Sequence, residues 1–412
     1  MDNALADRSA SNVETRRPSV ALLVDDLVEW LDAGMQPTGI QRVVTELLDT
    51  AMARSDLDAW PATSGLVPID RERLRPRRKS VVNRSLRAAR GLVLRVPMPM
   101  VVRTLLKSMY SRLLRWPRPK MPVIGGGAAD ADLVIVPGSF WVQGLDAAVP
   151  RIAATGVPVR AIVYDLISLT NPEWFDAGLV RDFTAAFDRV VPVLDRIVTI
   201  SGASARELVA RYPETAGRIR IAVPGLEAHR SRTVPSGHLP DRIRGSYLLA
   251  VGTVEPRKNY RLIVDAWRVA RRDPRLEASW LVIAGRAGWL TDDLEDEIAL
   301  EVGRSHIERV RDATDGEIEM LYAGCQATVH ASWTEGFGLP ARESVVRGIP
   351  TLVSTSIPLD GLPLDRIQLF DPRDRDGLAE LIVEVLANPR PRTPVVLAHV
   401  TGWEPVLEAL LA

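Results

Sequence analysis

Short apolar runs rich in β-branched residues alternate with stretches of helical periodicity along the first half of the chain. From Ser19 the run SVALLVDDLVEW predicts a buried strand that ends in a loop. Further strands are predicted at 132–138, 157–165 and 196–201, each beside a helical stretch. Helical spacing is clearest in TGIQRVVTELLDTAMAR, with apolar positions at Ile40, Val43, Val44, Leu47 and Leu48. This alternation predicts a parallel sheet covered by helices.

A second series of the same kind follows a passage rich in Pro, Gly and Ser. Its predicted strands lie at 247–252, 279–285, 326–332 and 350–354. The predicted fold class is therefore α/β, with two Rossmann-like, doubly wound domains in tandem. Ligands of such sheets bind beyond the carboxyl ends of the strands, so two facing domains would hold a substrate in the cleft between them.

The domain boundaries are predicted from the same patterns. In chain order we predict a disordered N-terminus at 1–17, an N-terminal domain at 18–223, a linker at 224–245, a C-terminal domain at 246–394 and a C-terminal helix at 395–412.

The composition excludes several classes of protein. A chain of 412 residues with 46% hydrophobic and 25% charged residues is typical of a soluble globular protein. The lone Cys325 excludes a disulfide framework and a four-cysteine zinc site, and the five histidines have no metal-ligand spacing. The chain lacks an apolar stretch of the roughly 18 residues that a spanning helix needs. Because its start also lacks a secretory signal core, we predict a cytoplasmic protein.

The formal net charge is zero, but the charges are distributed unevenly. Residues 71–120 hold 16 Lys or Arg and a single acid, Glu72, or +15. The rest of the chain, with 36 basic and 51 acidic residues, then carries −15. A separation this strong indicates a partner of opposite charge.

The basic residues of this region are interleaved with apolar ones. Within residues 79–116 the cations that recur near helical spacing, beside an apolar face, are Arg103, Lys107, Arg112 and Arg115. This pattern favours docking on an anionic membrane, which would place the protein peripherally on the inner face. A helix packed on the protein with a solvated basic face is the alternative. Nucleic acid is a weaker one, because no RNA- or DNA-binding motif accompanies the charge.

The most informative segment is HASWTEGFGLPARE, residues 330–343. It follows a predicted strand and passes through a loop into a helix predicted to begin at Pro340. Loop amides beside a helix N-terminus form an anion site suited to a phosphate. The amides concerned are those of Phe337, Gly338 and Leu339.

Two carboxylates flank this loop, Glu335 before it and Glu343 in the first helical turn. Carboxylates accept hydrogen bonds from sugar hydroxyls, so the combination predicts a ligand with a phosphate and several hydroxyls, such as a sugar nucleotide. Each carboxylate also has a structural interpretation. Glu343 would complement the helix dipole, and Glu335 would be a solvated loop residue.

A second cluster, AVGTVEPRKNY at 250–260, is again a strand end followed by a helix. Arg257 and Lys258 lie where the chain turns into that helix, aimed at the same cleft. Two cations beside a diphosphate would stabilise charge on a leaving group. A solvated basic turn is the alternative.

Other motifs carry less chemistry. Asp130 and Asp132 form a D-x-D pair at the amino end of a strand, the wrong end for a ligand site, so we predict a solvated turn. The triple glycine at 125–127 lacks dinucleotide-fingerprint spacing. Trp141 follows the carboxyl end of a strand, where it would line an acceptor side or pack in the core.

The chain resembles the retaining glycosyltransferases of family 4, which have the GT-B fold. The pieces that carry the resemblance are VGTVEPRKN (251–259), LVIAGRAGW (281–289) and EGFGLPARE (335–343), the last similar to the family's E-x7-E signature. Weaker similarity lies in TGIQR (38–42), YDLISLTNPE (164–173) and FDPRDRDGLAELI (370–382). The resemblance covers nearly the whole chain outside residues 60–120.

The resemblance implies roles for individual residues. Lys258, with Arg257 beside it, would grip the donor diphosphate, and Glu335 would contact the transferred sugar. Glu343 would bind the ribose. The residues implied on the donor side are Gly39, Arg286, Val310, Arg311, Phe337, Gly338, Leu339 and Glu343. Tyr164, Asp165 and Trp141 would lie on the acceptor or sugar side.

Two positions depart from the family pattern. Thr253 stands where many members have Arg, so Arg257 and Lys258 would have to supply the charge. Tyr164 stands where many members have a His that contacts the donor sugar. A phenol still donates a hydrogen bond to a sugar, so this change bears on sugar preference.

The activity that the resemblance implies is transfer of a sugar from a nucleotide-sugar donor, with GDP-mannose favoured, to a glycan or lipid-linked acceptor in polysaccharide assembly. No cofactor or metal ion is expected. The alternatives are a sugar-nucleotide epimerase or phosphorylase with the same two-domain plan, and a membrane-docked scaffold or glycan-binding subunit that kept the fold without turnover.

Overall fold

The computed structural model describes most of both predicted domains. The described residues are 16–32, 39–74, 131–141, 144–224, 240, 243, 245–288, 292–302, 305–311, 313–392 and 402–412. Outside them lie most of the predicted disordered N-terminus and linker, the triple glycine, Asp130, and the basic segment beyond residue 74.

The N-terminal domain is built on a parallel sheet, of which the described strands run in the order β2-β1-β3-β4-β5-β6. These strands are β1 (Ser19–Leu23), β2 (Asp58–Ala62), β3 (Leu133–Val136), β4 (Val159–Val163), β5 (Arg196–Thr199) and β6 (Ile219–Ile221). The helices described between them are α1 (Asp25–Asp32), α2 (Ile40–Met52), α3 (Leu145–Ala153), α4 (Ile167–Thr170), α5 (Ala177–Val190) and α6 (Gly202–Arg211).

The C-terminal domain repeats this plan, with strand order β12-β11-β10-β7-β8-β9. Its described strands are β7 (Tyr247–Val251), β8 (Trp280–Ala284), β9 (Ile307–Val310), β10 (Ala327–His330), β11 (Thr351–Ser354) and β12 (Ile367–Phe370). The helices are α7 (Tyr260–Ala270), α8 (Asp292–Glu301), α9 (Asp315–Gly324), α10 (Leu339–Val346) and α11 (Arg375–Ala387), followed by α12 (Glu404–Leu411).

Central strands bury both faces, as parallel sheets covered by helices do. All five residues of β1 are buried, and so are all five of β8. Helix α2 buries the apolar stripe that its periodicity predicted, from Val43 to Leu48. The prediction of two doubly wound α/β domains is confirmed.

The C-terminal helix α12 packs on the N-terminal domain, not on the domain that precedes it. Its buried side chains join the hydrophobic cluster that includes Leu47 and Leu48 of α2; they are Trp403, Val406, Leu407 and Leu410. The guanidinium of Arg160 in β4 donates hydrogen bonds to the last carbonyls of the helix, at 2.6 Å and 2.8 Å. Helix α12, which follows the second sheet in the chain, thus packs as part of the first domain.

Short 3-10 helices connect several of these elements, at Arg71–Leu74, Pro172–Trp174, Val191–Val193, Pro213–Thr215, Pro256–Lys258, Pro274–Leu276 and Leu364–Arg366. Among the helices of the described ranges, none has both the length and the apolar character needed to cross a membrane.

Candidate active site

A cavity of about 470 Å³ lies between the two domains. On the N-terminal side it is lined by the start of α2 and by Tyr164 and Asp165, which follow β4. On the other side it is lined by the loops after β7, β8 and β10. The carboxyl ends of both sheets therefore border one cavity, and the facing arrangement of the GT-B fold is confirmed.

The most tightly paired charges of the cavity surround Glu335 in the loop after β10. Its Oε2 accepts a hydrogen bond from Arg257 Nη1 at 2.6 Å, and its Oε1 accepts from Lys258 Nζ and from Ser332 Oγ. Arg257 Nε also pairs with Glu255 Oε1 at 2.7 Å. The two cations that the sequence placed at the end of β7 thus converge on the carboxylate that it placed at the end of β10.

Backbone geometry explains why these side chains meet. The 3-10 turn Pro256–Lys258 ends at Asn259, whose φ of 53° turns the chain into α7. The amide of Trp333 donates to the carbonyl of Arg257 at 2.8 Å, which ties the two loops together. Adjacent strands β7 and β10 therefore present their loops as one surface.

Burial and charge act against each other on this cluster. Burial alone would raise the pKa of Glu335, but Arg257 and Lys258 lower it to about 2. Burial lowers the pKa of Lys258, and Glu335 only partly offsets it. The carboxylate is therefore ionised throughout the neutral range and holds both cations in place.

The loop after Glu335 lies close to the N-terminal domain. A Cβ on Gly336 would come within 2.7 Å of both the Asp165 Cβ and the Tyr164 carbonyl oxygen. Phe337 is buried in the cluster that contains Val43 of α2. Helix α10 begins at Leu339, one residue before the predicted Pro340, after Gly338 with φ 75°. Its N-terminus faces the cavity, as the sequence predicted.

Glu343, one turn into α10, is held from two directions. Its Oε2 accepts from Tyr322 Oη of α9 at 3.0 Å. Its Oε1 lies 3.4 Å from Nη1 of Arg42, which belongs to α2 of the other domain. The carboxylate thus takes part in an ion pair that spans the cleft.

A comparison with known protein families identifies the second domain. Residues 243–396 match the family described as glycosyl transferases group 1. This C-terminal domain is a group 1 glycosyl transferase domain. The match includes every strand of the second sheet and both charged loops of the site.

Two proteins similar to this chain extend the similarity toward the first domain. The chain is 26% identical over 230 residues to O-antigen chain mannosyltransferase B of Escherichia coli, covering 55% of this chain and 60% of that protein. It is 25% identical over 283 residues to the serotype-specific mannosyltransferase WbdA of Escherichia coli, covering 63% of this chain and 34% of that protein. The chain thus matches less than two thirds of the length of either relative.

Among solved structures, the lipopolysaccharide outer core galactosyltransferase WaaB is similar, with a TM-score of 0.49 and 15% sequence identity. That alignment covers 90% of each chain.

The structure brings some of the residues implied on the donor side together and leaves others apart. Gly39 and Arg286 line the cavity, with the Arg286 guanidinium 5.4 Å from the Trp30 ring centroid. Val310 packs against a hydrophobic cluster inside the domain. Arg311 pairs with Glu295 at 2.5 Å, with 48% of its side chain exposed. Neither of these two lines the cavity, which instead reaches the start of α9.

Of the three residues predicted on the acceptor or sugar side, two line the cavity and one does not. Tyr164 and Asp165 line the cavity, and the Tyr164 hydroxyl donates to the Pro137 carbonyl at 2.6 Å. Trp141 instead packs against Phe183, with ring centroids 4.6 Å apart, and against Phe140. Packing, the alternative considered for Trp141, is what the structure shows. Asp132 accepts from the amide of Ser19 at 2.7 Å, at the end of the sheet away from the cleft.

Several charged residues of the cavity were missed by the sequence analysis. They are Arg42, Glu46, Glu255 and Asp315. Arg42 lay within the quoted TGIQR segment and Glu255 within VGTVEPRKN, so position after a strand or at a helix start could have found both. Glu46 and Asp315 lie on helices, and no local signal marks them.

Proposed function

We propose that this protein is a retaining glycosyltransferase that moves a sugar from a nucleotide-sugar donor to a glycan or lipid-linked glycan in cell-surface polysaccharide synthesis. The group 1 glycosyl transferase domain and the similarity to O-antigen mannosyltransferases support this class of reaction. The observation that carries the proposal is the convergence of Lys258 and Arg257 on Glu335 beside the N-terminus of α10.

The cluster suits the departure of a nucleoside diphosphate. Negative charge grows on the leaving oxygen as its bond to the anomeric carbon breaks. Lys258 and Arg257, already oriented by Glu335, supply positive charge that needs little reorganisation, and their burial strengthens it. Amides at the start of α10 add further donors.

The proposed reaction retains configuration at the anomeric carbon. The acceptor hydroxyl attacks from the face that the diphosphate leaves, and its proton passes to a diphosphate oxygen. One glycosidic bond forms as the bond to the diphosphate breaks, so no protein nucleophile is required. Glu335, engaged with two cations, acts as their counter-ion in this scheme and contacts the transferred sugar.

We propose GDP-mannose as the donor, because two of the similar proteins are mannosyltransferases and this chain's VGTVEPRKN and EGFGLP segments resemble that group. The proposal includes no metal requirement. Transfer from GDP-mannose should therefore persist in excess EDTA.

The first experiment is a thermal-shift series on the purified full chain with GDP, UDP, dTDP and ADP. A ligand that binds only the folded state raises the melting temperature by mass action. A shift with one nucleotide class supports the proposal and identifies the donor base. Absence of any shift, with and without anionic vesicles, would contradict it.

Activity then separates transfer from mere binding. Lys258→Ala should abolish the release of GDP from GDP-mannose, whereas Arg261→Ala, at a 54% exposed side chain on α7, should preserve it. Release that occurs only with a glycan acceptor supports a transferase. Conversion of the donor with no acceptor would indicate an epimerase.

The cytoplasmic, membrane-docked location is also a proposal. It rests on the basic segment 79–116, which lies outside the described residues. Co-sedimentation with vesicles that contain phosphatidylglycerol, but not with phosphatidylcholine vesicles, would support it. Equal sedimentation after deletion of residues 79–116 would contradict it.

A further inference from the structure

We infer that Arg42, from the N-terminal domain, binds the diphosphate of the donor, and that it reaches this ligand by exchanging its contact with Glu343. The inference rests on the proposed function, because it requires a nucleoside diphosphate in the interdomain cavity. It assigns a donor-binding side chain to the domain that the sequence places on the acceptor side.

The first argument is the charge of the cavity. Among the described residues that line it, the cations are Arg42, Arg257, Lys258 and Arg286. The lining carboxylates are Glu46, Asp165, Glu255, Asp315, Glu335 and Glu343. Four cations against six carboxylates leave a formal charge of −2, which opposes a diphosphate unless cations are brought close to it.

The second argument is how the cations near the diphosphate site are engaged. Arg257 is held by Glu255 at 2.7 Å and by Glu335 at 2.6 Å. Lys258 shares the same carboxylate of Glu335. Glu255 and Glu335 thus compensate part of their charge, and Thr253 in the same loop after β7 adds none.

Arg42 is held more loosely than these two cations. Its Nη1 is 3.4 Å from Glu343 Oε1, beyond ordinary hydrogen-bond length, and 34% of its side chain is exposed. Burial alone would lower the pKa of Arg42, but Glu343, Asp315 and Glu46 raise it, so the guanidinium stays charged. It is a cation that a stronger anion can attract away from its present partner.

The position of Arg42 brings it to the proposed phosphate loop, residues 337–339. It lies in the first turn of α2, which begins after Gly39, and Gly39, Ile40 and Arg42 all line the cavity. Ile40 and Val43 of that turn share a hydrophobic cluster with Phe337 and Leu339. The first turn of α2 and the proposed phosphate loop are therefore packed together across the cleft.

Glu343 is the residue that would change partner, from Arg42 to the ribose of the donor. A ribose presents two neighbouring hydroxyls, and both oxygens of Glu343 are engaged, Oε2 by Tyr322 at 3.0 Å and Oε1 by Arg42. A ribose hydroxyl would displace the longer contact, which is that of Arg42. The released guanidinium then lies beside the ribose, close to the phosphates of the same nucleotide. There it donates a charge-assisted hydrogen bond to a diphosphate oxygen.

The test compares a diphosphate with its nucleoside. Isothermal titration of the full chain with GDP and with guanosine would be measured for the wild type, Arg42→Ala and Arg42→Lys. We expect Arg42→Ala to weaken GDP binding by about tenfold or more and guanosine binding by far less, with partial rescue by lysine. Arg189→Ala, at a 52% exposed side chain outside the cavity, is the control.

A double-mutant cycle distinguishes two roles of Arg42: binding the diphosphate, or only pairing with Glu343. If Arg42 binds the phosphates, adding Arg42→Ala to the Glu343→Gln variant should still weaken GDP binding by about tenfold. If Arg42 only occupies Glu343, Arg42→Ala should increase the affinities for GDP and guanosine or leave both unchanged. That result would overturn the inference. Equal losses for GDP and guanosine would overturn it too.

The outcome for the wild type separates this inference from the proposed function. If the wild type binds another nucleotide class, the same series is run with that diphosphate and its nucleoside. If it binds none, the proposed function fails and the inference with it. If it binds and Arg42→Ala does not change the affinity, only the inference fails.

Discussion

Gly336 and Asp165 meet across the interdomain cleft so closely that no β-carbon fits between them. A Cβ at Gly336 would lie 2.7 Å from the Cβ of Asp165. The contact joins the loop after β10 of one domain to the loop after β4 of the other. It sets how closely the two walls of the cavity approach one another beside Glu335.

Gly336→Ala should therefore act on the site more than on stability. The added methyl group would push the two loops apart, and we expect donor turnover to fall by about tenfold or more while the melting temperature changes by only a few degrees. Gly217→Ala, where a Cβ meets no atom within 4 Å, is the matched control. Unchanged turnover by Gly336→Ala would show that this separation is not needed for activity.

Stability should depend on pH through Asp26. Burial raises the pKa of Asp26 to about 6, although the amides of Ser139 and Leu27 donate to it. A carboxyl group whose pKa is higher in the folded chain binds a proton on folding, so its contribution is present at low pH. That contribution is lost as the pH rises from about 4 through 6.

The measurement is urea unfolding of the wild type and Asp26→Asn between pH 4 and 7. Relative to the variant, the wild type should lose about 2 kcal/mol of unfolding free energy over this range. Asp365→Asn, at a 72% exposed side chain, serves as control. Parallel profiles for wild type and Asp26→Asn would contradict the prediction.

Binding of the nucleotide base should depend on Arg286 and not on Arg311. Arg286 lines the cavity and stacks near Trp30, whereas Arg311 pairs with Glu295 outside it. We expect Arg286→Ala to weaken nucleotide binding by about tenfold and Arg311→Ala to change it by less than about twofold. Titration with the nucleotide found in the thermal-shift series checks both. A larger loss in Arg311→Ala would restore the role that the family resemblance implied.

The stability of the N-terminal domain should depend on α12, although that helix ends the chain. Leu407 is fully buried in the cluster with Leu47 and Leu48. Leu407→Ala should cost about 2–5 kcal/mol of unfolding free energy. The matched leucine control is Leu364→Ala, at a 61% exposed position, with an expected effect within about 0.5 kcal/mol. Similar losses in chemical denaturation would contradict the packing seen here.

The strands found from sequence and the strands missed differ in where they lie. The sequence analysis found eight of the twelve described strands, and the four it missed are β2, β6, β9 and β12. These are the four edges of the two sheets. An edge strand buries fewer of its residues, as the partly exposed IERV of β9 and IQLF of β12 show, so it lacks the continuous apolar run that marks a central strand.

The amino-acid sequence by itself determined the two doubly wound domains and the loops that carry Arg257, Lys258 and Glu335. Both follow from local patterns, since apolar runs and helical spacing report burial, and the carboxyl ends of parallel strands share one edge. Only the tertiary structure decided the Arg42–Glu343 pair, 301 residues apart in the chain, and the return of α12 to the first domain. It also decided which implied residues line the cavity. Those contacts depend on how two separately built sheets pack together, and no local spacing records that.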